Sequence, residues 1–448
     1  MRVSVFELKQ IWKNTEFCGI SDKESFDKFD IVFIGEKFKD TDKVLFFATY
    51  AKDVEKEGWY EQEFDRHKKL PCNPNWVYVI EDNSAISEGL NYIKVPSINK
   101  ALEALFRHIL SQVNPFVCAI TGSVGKTTAI AMLEDVISAK HKCYRIYAKR
   151  ITPLVLFAKI INQLEIGTDY LVLEMAMYYK FHIKELVRLI TPDISVMLNV
   201  RDNHFGVDGI SSKKDILRAK SKIIAKNSIP ILNVSDPNIR KLMPRKNNAI
   251  AFGNCTGIES KAAIKSLRNN FLYIQCGGDA ITIKPFILTE LCFDQVLAVL
   301  TVSSILKLDL QETACIINNF HTKENRIQKI ELSGKEVFFE GDASCCGRIR
   351  EFSKNFYPDS SLVISHLDFG RQELGRQIRE IVKCFSGFSR VRINNEIILF
   401  NGKRFPKNVE FMPKEKLLEN IPPESTIFYI CANYFRRGMS LENLTGLP

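Results

Sequence analysis

Residues 116–128 constrain the fold of this chain more than any other stretch. They read Phe-Val-Cys-Ala-Ile-Thr-Gly-Ser-Val-Gly-Lys-Thr-Thr, an apolar run followed by a glycine turn and by a segment whose apolar residues recur at helical spacing. A buried strand that turns directly into a helix leaves backbone N–H groups open at the helix start, where the helix dipole is positive. The stretch therefore predicts a phosphate-binding loop within an α/β domain.

The loop has the shorter form Thr-Gly-x-x-Gly-Lys-Thr, because Ile120 stands where the longer form has its first glycine. In this interpretation Lys126 reaches the outer phosphates of a nucleotide, and the Thr127 hydroxyl ligates magnesium. We expect the phosphates to lie against eight residues: Thr121, Gly122, Ser123, Val124, Gly125, Lys126, Thr127 and Thr128.

Length and charge exclude several classes of protein. A chain of 448 residues is long enough for two or three domains, and its charged fraction of 25% is ordinary for a soluble protein. The net charge of +10 is spread along the chain without a basic tail, which argues against a nucleic-acid partner. We find neither an apolar run of the ~18 residues that a membrane span needs nor a signal peptide at the amino terminus. We therefore expect a cytoplasmic protein with no membrane partner.

The cysteines and histidines do not indicate a metal site. The twelve cysteines include no Cys-x-x-Cys pair, and the seven histidines form no cluster with metal-like spacing. We interpret the cysteines as free thiols that pack in apolar runs. For the adjacent pair Cys345 and Cys346, redox sensitivity is the alternative to packing.

Beyond the loop, strands alternate with helical segments, which predicts a mostly parallel sheet with the nucleotide at the carboxyl ends of its strands. We predict strands at 171–174, 194–200 and 229–234. Glu174 ends the first of these strands and should emerge at the edge that carries the loop, while His204 follows the second strand. The alternatives are a solvated strand end for the glutamate and a structural role for the histidine.

These features together resemble the Mur ligase family, whose members join a carboxylate to an amine with ATP. The shared motifs are the short loop, the strand that ends in Val-x-Glu at Glu174, the strand and asparagine that precede His204, and the Ile-x-x-Ala-Lys segment that ends at Lys220. The resemblance is nearest to the members that add D-alanyl-D-alanine. It implies an ATP-dependent amide ligase that forms an acyl phosphate during cell-wall (muramyl peptide) precursor synthesis, with ATP and Mg²⁺ as cofactors.

The resemblance also implies roles for individual residues. Lys126, Lys220 and His204 would be catalytic, with Lys220 carbamylated next to the metal site. Magnesium would be held by Thr127, Glu174 and His204. Further nucleotide contacts would come from Asn233, from Gln295 at the adenine, from Arg326 at the γ-phosphate, and from Asp342, or alternatively Glu340, at the ribose.

The implied architecture is α/β with three domains. A small α/β substrate-recognition domain would span residues 1–98, the central ATP-binding domain with the parallel sheet 99–320, and a Rossmann-like carboxyl-terminal domain 321–448. The partners would be a small-molecule carboxylate and an amine or dipeptide, and we expect a monomer.

The chain departs from the family pattern at two places. The arginine with which the family holds a uridine diphosphate is absent from residues 35–40, where Lys37 or Lys39 offers only a point charge. Residues 343–347 read Ala-Ser-Cys-Cys-Gly in place of Tyr-x-x-Asn-Pro. Two alternatives therefore stay open: a Mur-like ligase for a non-muramyl carboxylate (tetrapyrrole cofactor, folate-like or polyglutamate), and a nucleotide-binding protein that has lost ligase activity. Whether the carboxylate carries a UDP-sugar also stays open.

Overall fold

The computed structural model describes most of the chain and divides it into two compact units. The first unit comprises the described residues of 1–118, 140–175 and 184–192, and the second those of 119–139, 176–183 and 193–448. The described residues are 2–431 except 34–37, 58–64, 69, 84–85, 149, 202–205, 246–247, 324–325, 333–334, 342–345, 354–356, 358, 368–373, 398–399, 401–403 and 423–425.

The amino-terminal part of the first unit contains seven strands and three helices among its described residues: β1 (Val3–Ser4), α1 (Val5–Ile11), β2 (Glu16–Cys18), β3 (Ser25–Phe26), β4 (Lys28–Asp30), β5 (Val44–Phe47), α2 (Ala51–Glu55), β6 (Val77–Ile80), β7 (Asn91–Lys94) and α3 (Ile98–Val113). Five strands form a sheet in the order β2-β7-β6-β5-β4, which is parallel except that β2 runs antiparallel to β7. Strands β5 and β6 are apolar and buried throughout, as central parallel strands require.

Helix α3 forms where its sequence predicts it. The Ser97 side chain caps the helix by accepting a hydrogen bond from the Lys100 N–H at 3.5 Å. One face of the helix is buried, and on that face the Phe106 ring lies 5.1 Å from the Phe157 ring. The elements that follow along the chain are β8 (Phe116–Thr121), α4 (Lys126–Ser138), β9 (Cys143–Ile146), α5 (Pro153–Gln163), β10 (Tyr170–Glu174) and α6 (His182–Leu189). Within the first unit the strand order is β8-β10-β9.

The second unit contains the sheet that carries the phosphate loop. Its strands and helices are β11 (Ile194–Met197), α7 (Lys213–Lys220), β12 (Ile229–Asn233), β13 (Ile250–Phe252), β14 (Ala262–Arg268), β15 (Phe271–Cys276), β16 (Asp279–Ile283), α8 (Glu290–Ile305) and α9 (Leu310–Asn318). Within this unit the strand order is β16-β15-β14-β13-β12-β11-β8, parallel from β11 to β14 and antiparallel from β14 to β16. Helix α8 is buried along most of its length.

The same unit includes a separate six-stranded sheet near the carboxyl terminus. Its elements are β17 (Gln328–Leu332), β18 (Lys335–Glu340), α10 (Cys346–Phe352), β19 (Ser361–His366), α11 (Leu374–Cys384), β20 (Arg390–Asn394), β21 (Val409–Met412) and β22 (Ile427–Cys431). The order is β17-β18-β22-β19-β20-β21, with only the β17–β18 pair antiparallel among these described strands. Valine, isoleucine and aromatic side chains of β18, β19 and β22 form its core.

The α/β class predicted from the sequence is confirmed. The apolar residues 31–33 follow β4 and are not part of a strand, and Phe33 has a left-handed φ of 77° that a strand does not accommodate. Helices α8 and α9 are separated at Lys307, whose φ is 59°. The three domain boundaries stay predictions. None of the described helices is long and apolar enough to cross a membrane.

Candidate active site

The phosphate loop joins the end of β8 to the start of α4. Strand β8 ends at Thr121, and Gly125 precedes the first helical residue, Lys126, with a φ of 86° that favours glycine. The first N–H groups of a helix have no partner within that helix, so the start of α4 offers donors and a positive dipole end to an anion. Most of α4 is buried, which fixes the direction of these donors.

At Gly122 the loop approaches its neighbours too closely for a side chain. A Cβ at Gly122 would lie 3.1 Å from Leu198 Cβ and 3.3 Å from the Val124 carbonyl oxygen. The hydroxyl-bearing residue Thr127 is buried at the helix start. A glycine-lined backbone, a lysine and a hydroxyl at a helix start fit a nucleotide phosphate and its Mg²⁺, which prefers oxygen ligands.

Asn199 holds the loop by its backbone. This residue follows β11 and is fully buried. Its Oδ1 accepts hydrogen bonds from the N–H groups of Ser123 and Val124, each at 3.0 Å, and its Nδ2 donates to the Val124 carbonyl oxygen at 3.0 Å. The Asn199 side chain therefore bonds to three backbone groups of the loop, with its oxygen as acceptor and its nitrogen as donor.

Lys220 contacts the loop from the last turn of α7. Its side chain is completely buried, and its Nζ donates to the Gly122 carbonyl oxygen at 2.8 Å. A buried ammonium group needs such hydrogen bonds because leaving water is costly for a charge. The structure thus brings Lys220 to the loop, while its carbamylation stays a prediction.

Gln295 contacts the loop from α8. Its Nε2 donates to the Gly125 carbonyl oxygen at 2.9 Å, across 170 residues of sequence. The family resemblance assigned this amide to the adenine, and that contact stays a prediction. In the described structure the Gln295 amide holds Gly125, the residue that caps α4.

We expect the substitution Gly125→Ala to destabilise the protein and to weaken nucleotide binding. The new Cβ would stand 2.7 Å from both Gln295 Nε2 and Leu291 Cδ1, and the residue would keep a left-handed φ. Backbone strain alone costs about 1–2 kcal/mol, and the contacts should raise the loss to about 3 kcal/mol. Urea denaturation and ATP titration measure the two effects.

Gly257→Ala is the matched control for backbone strain. Gly257 has a φ of 78°, and a Cβ there would meet nothing within 4 Å. Its loss should be limited to about 1 kcal/mol, without a change in ATP affinity. Equal losses of stability in the two variants, with unchanged ATP affinity in both, would contradict the close packing at Gly125.

Asn233 joins the ends of two neighbouring strands. It ends β12 and is fully buried; its Nδ2 donates to the Leu198 carbonyl oxygen at 2.8 Å, and its Oδ1 accepts from the Ser235 N–H at 3.0 Å. Its amide thereby orders the turn that follows β12. The nucleotide contact that the resemblance implies for Asn233 stays a prediction.

Asp294 is a buried acid in the same region, one residue before Gln295. Burial raises the pKa of Asp294 to about 8, although a hydrogen bond with Asn233 and the Arg201 charge oppose that rise. The nearby Glu351 and Glu290 carboxylates raise the pKa of Asp294 further. The Asp294 carboxyl is therefore largely neutral in the folded protein at pH 7, since that pH lies below its raised pKa.

We expect the free energy of unfolding to fall as the pH rises from about 4 to about 8, because of Asp294. Over that range the unfolded chain has released the proton that the folded protein retains, which gives a slope of up to about 1.4 kcal/mol per pH unit. Asp294→Asn should remove this part of the slope. Urea midpoints at pH 5, 6, 7 and 8 test the expectation, with Asp279→Asn, an exposed carboxylate, as control. The same slope in both variants would contradict it.

The remaining predicted residues are placed individually. Glu174 ends β10 in the first unit and is only 5% exposed. Arg326 is half-buried in the segment before β17, where the Thr322 hydroxyl donates to its carbonyl oxygen at 2.8 Å. Glu340, the alternative ribose contact, is completely buried at the end of β18. His204 and Asp342 lie outside the described residues. The roles of all these residues stay predictions.

The residues that hold the loop from its sides were not predicted from the sequence. Asn199 was noted only as the asparagine of a shared motif. A polar residue shortly after a buried strand is usually hydrogen-bonded, and that pattern could have indicated its role. Asp236 was also missed: its Oδ2 accepts from the Val200 N–H at 2.8 Å and so fixes the segment after β11. The Asp-Pro turn after β12 is the sequence pattern that could have indicated the role of Asp236.

The sequence of this chain is similar to that of known Mur ligases over part of its length. Residues 120–286 match the Mur ligase middle domain. A UDP-N-acetylmuramoylalanine–D-glutamate ligase of Pseudothermotoga lettingae is 28% identical over 228 residues, which are 50% of this chain and 47% of the relative. A UDP-N-acetylmuramoyl-tripeptide–D-alanyl-D-alanine ligase of Borreliella burgdorferi is 30% identical over 152 residues, 34% of this chain and 32% of the relative. The chain thus matches less than half the length of these curated relatives.

The fold comparison extends over nearly the whole chain. The MurF ligase of Thermotoga maritima, solved in complex with ADP, has a TM-score of 0.72 at 19% identity and covers 93% of this chain and 96% of its own. Residues 120–286 thus match the middle domain of the Mur ligases, and the fold of the chain is similar to that of MurF. The resemblance to Mur ligases stated from the sequence is confirmed.

Proposed function

We propose that the protein is an ATP-dependent, ADP-forming ligase that joins a carboxylate to an amine. The observation that carries this proposal is the glycine-lined loop of a Mur ligase middle domain, held by Asn199, Lys220 and Gln295. Such a loop offers backbone donors and a lysine to the phosphates of a nucleotide. The ADP in the Thermotoga maritima structure supports ATP as the nucleotide here.

The nucleotide would be bound by residues of several segments. The phosphates lie along residues 121–128, and Arg326 meets the γ-phosphate from the segment before β17. Asn233 and Gln295 would contact the base, and Asp342 would contact the ribose. Thr127, Glu174 and His204 would hold Mg²⁺, which would supply positive charge to offset the charge of the phosphates.

The proposed reaction has two stages. A carboxylate oxygen of the substrate attacks the γ-phosphorus of ATP, the bond to the bridging oxygen breaks, and ADP leaves. The amine then attacks the carbonyl carbon of the acyl phosphate, releases inorganic phosphate and loses a proton as the amide forms. Lys126 and Arg326 offset the negative charge on the transferring group, because phosphoryl transfer depends mainly on positioning and electrostatics. Exclusion of water protects the acyl phosphate from hydrolysis.

Lys220 has a proposed role beside this loop as a carbamylated lysine. A carbamate keeps one N–H on Nζ, enough for the bond to the Gly122 carbonyl oxygen, and adds two oxygens. We expect Lys220→Ala to lower turnover by about 10²-fold or more, since it removes charge and hydrogen bonds from the site. Partial rescue by a short-chain carboxylic acid would support the carbamate, and turnover equal to that of Lys222→Ala would exclude Lys220 from the site.

The proposed pathway is cell-wall precursor synthesis in the cytoplasm by a monomeric enzyme. The printed names of the relatives include a D-glutamate-adding ligase and a D-alanyl-D-alanine-adding ligase. The likeness to MurF favours a UDP-N-acetylmuramoyl-tripeptide as the carboxylate and D-alanyl-D-alanine as the amine.

A matrix of substrates tests this proposal. Purified protein with ATP and Mg²⁺ is given each of several carboxylates with each of several amines, and ADP release is followed. We expect release only when one matched pair is present, with the muramyl tripeptide and D-alanyl-D-alanine giving the fastest rate. Release that is indifferent to the amine would contradict the ligase and indicate a nucleotide hydrolase.

A second candidate keeps the reaction and changes the carboxylate. It is favoured by the absence of the uridine-diphosphate arginine from residues 35–40. Folate-like, tetrapyrrole and polyglutamate carboxylates belong in the same matrix for that reason. Amine-dependent ADP release with one of these acids, and none with the muramyl peptide, would select this candidate.

A further inference from the structure

Glu351 is a buried carboxylate on α10, in the part of the chain that follows the central sheet. It is only 2% exposed. Helix α10 is fixed to its own sheet, because the Phe352 ring stacks on the Phe428 ring at 4.2 Å and Arg350 forms an ion pair with Glu380 at 2.7 Å. The position of Glu351 therefore follows the position of the carboxyl-terminal sheet.

The Glu351 carboxylate contacts two groups that belong to the central sheet and its helices. Its Oε2 accepts a hydrogen bond from the Leu291 N–H at 3.2 Å, in the first turn of α8, where the helix dipole favours a negative charge. Its Oε1 lies 3.8 Å from Arg201 Nη2. A buried carboxylate needs both kinds of partner to offset the loss of water.

Both of these partners contact the phosphate loop. The Arg201 N–H donates to the Ser123 Oγ at 2.9 Å, and Arg201 follows the loop-holding residue Asn199 by two positions. The Leu291 side chain lies so near Gly125 that an added Cβ would stand 2.7 Å from its Cδ1. Glu351 is thus connected through Arg201 to Ser123 and through Leu291 to Gly125 of the same loop.

Arg201 has one guanidinium group and two acids nearby, Glu351 and Asp294. Asp294 is largely neutral below pH 8 because burial raises its pKa to about 8. Of these two acids, Glu351 is then the one whose negative charge pairs with Arg201. Arg201 Nε is buried and donates to no partner among the described residues, so the ion pair with Glu351 is the main interaction of this guanidinium there.

We propose that Glu351 and Arg201 are positioning residues that couple the docking of the carboxyl-terminal sheet to the conformation of the phosphate loop. The proposal rests on the function proposed above, because it assigns the coupling to phosphoryl transfer. Undocking removes the carboxylate from Leu291 and Arg201, and the loop loses support at Ser123 and Gly125.

Hydrogen exchange of the full-length protein without nucleotide tests the coupling independently of any ligase activity. Glu351→Gln keeps an acceptor for the Leu291 N–H and removes the charge that pairs with Arg201. We expect it to raise exchange in peptides covering residues 119–128 by about tenfold, and Arg201→Gln to do the same. The double variant should exchange no faster than either single variant, because both changes break one pair.

Tyr357→Phe is the matched control. The Tyr357 hydroxyl accepts from the Leu288 N–H at 2.9 Å, so it is a second docking contact of the same part of the chain, with no contact to the loop among the described interactions. Its effect should be confined to exchange near Leu288, with the loop within about twofold of wild type. Melting curves identify any variant that is globally destabilised. If one of the two single variants is, loop exchange in the other single variant tests the coupling.

Two results would overturn the coupling: loop exchange unchanged in either single variant, or single effects that multiply in the double variant. With the matched substrates, kcat should fall about tenfold in Glu351→Gln while the KM for ATP changes less, as expected of lost positioning. Altered exchange without any amine-dependent ADP release would retain the coupling and reject the proposed function. Normal loop exchange together with amine-dependent ADP release would reject the coupling and retain the proposed function.

Discussion

Replacing Lys126 with alanine should abolish ATP turnover, with a loss of at least about 10³-fold in kcat. Lys126 is the first residue of α4 and lies at the point where the helix start offers its backbone donors. Without its ammonium group, the charge that builds on the transferring phosphoryl group has no lysine partner, and the backbone donors alone must stabilise it.

The experiment for Lys126 uses ADP release under saturating substrates, with the exposed Lys214→Ala as control. The control has the same change of net charge at an exposed position in the loop-bearing unit, and it should retain full turnover. Near-normal turnover in Lys126→Ala would mean that the loop does not take part in catalysis. Equal losses in both variants would indicate an effect of net charge alone.

Replacing Asn199 with alanine should lower both stability and nucleotide affinity. The substitution leaves the Ser123 and Val124 N–H groups and the Val124 carbonyl without the partner that the side chain supplies. Unmade hydrogen bonds of buried groups cost about 1–3 kcal/mol each, and partial relaxation should limit the total to about 2–4 kcal/mol. Because the loop loses its fixed shape, we expect ATP affinity to fall by about tenfold or more.

The matched control is Asn254→Ala. Asn254 is exposed, and its side chain makes two backbone hydrogen bonds, with the Ile264 carbonyl oxygen at 2.7 Å and the Ile264 N–H at 3.0 Å. Water can replace those bonds, so the loss should be about 1 kcal/mol or less, with ATP affinity unchanged. Similar stability in the two variants, with normal ATP binding in Asn199→Ala, would contradict the role given to Asn199.

The elements of this site could be predicted because their signals are local. The phosphate loop, the strand ended by Glu174 and the helix after Ser97 each follow from a few consecutive residues: an apolar run, a turn composition or a cap. The support of the loop could not be predicted in this way. Lys220 bonds to Gly122 across 98 residues, and Gln295 bonds to Gly125 across 170.

Gln295 and Glu351 show why residue type alone is insufficient. A glutamine on a buried helix could face a ligand or the protein, and only the packing of α8 against the loop selects the bond to Gly125. Glu351 belongs to a charged stretch that suggests a solvated helix face, yet it is buried against Leu291 and Arg201. Such choices depend on which elements meet in the fold, and that information is not local.

The central claim is that this chain forms an amide through an acyl phosphate. Its most direct test is the transfer of oxygen from the acid to phosphate. UDP-N-acetylmuramoyl-tripeptide, or whichever acid the substrate matrix selects, is labelled with ¹⁸O in both oxygens of its reacting carboxylate and incubated with ATP, Mg²⁺ and the matched amine. We predict that each released inorganic phosphate carries one ¹⁸O atom, because the carboxylate oxygen attacks the γ-phosphorus and leaves with the phosphate. Unlabelled phosphate at the same rate of ADP release would show that water attacks ATP, and it would contradict the account.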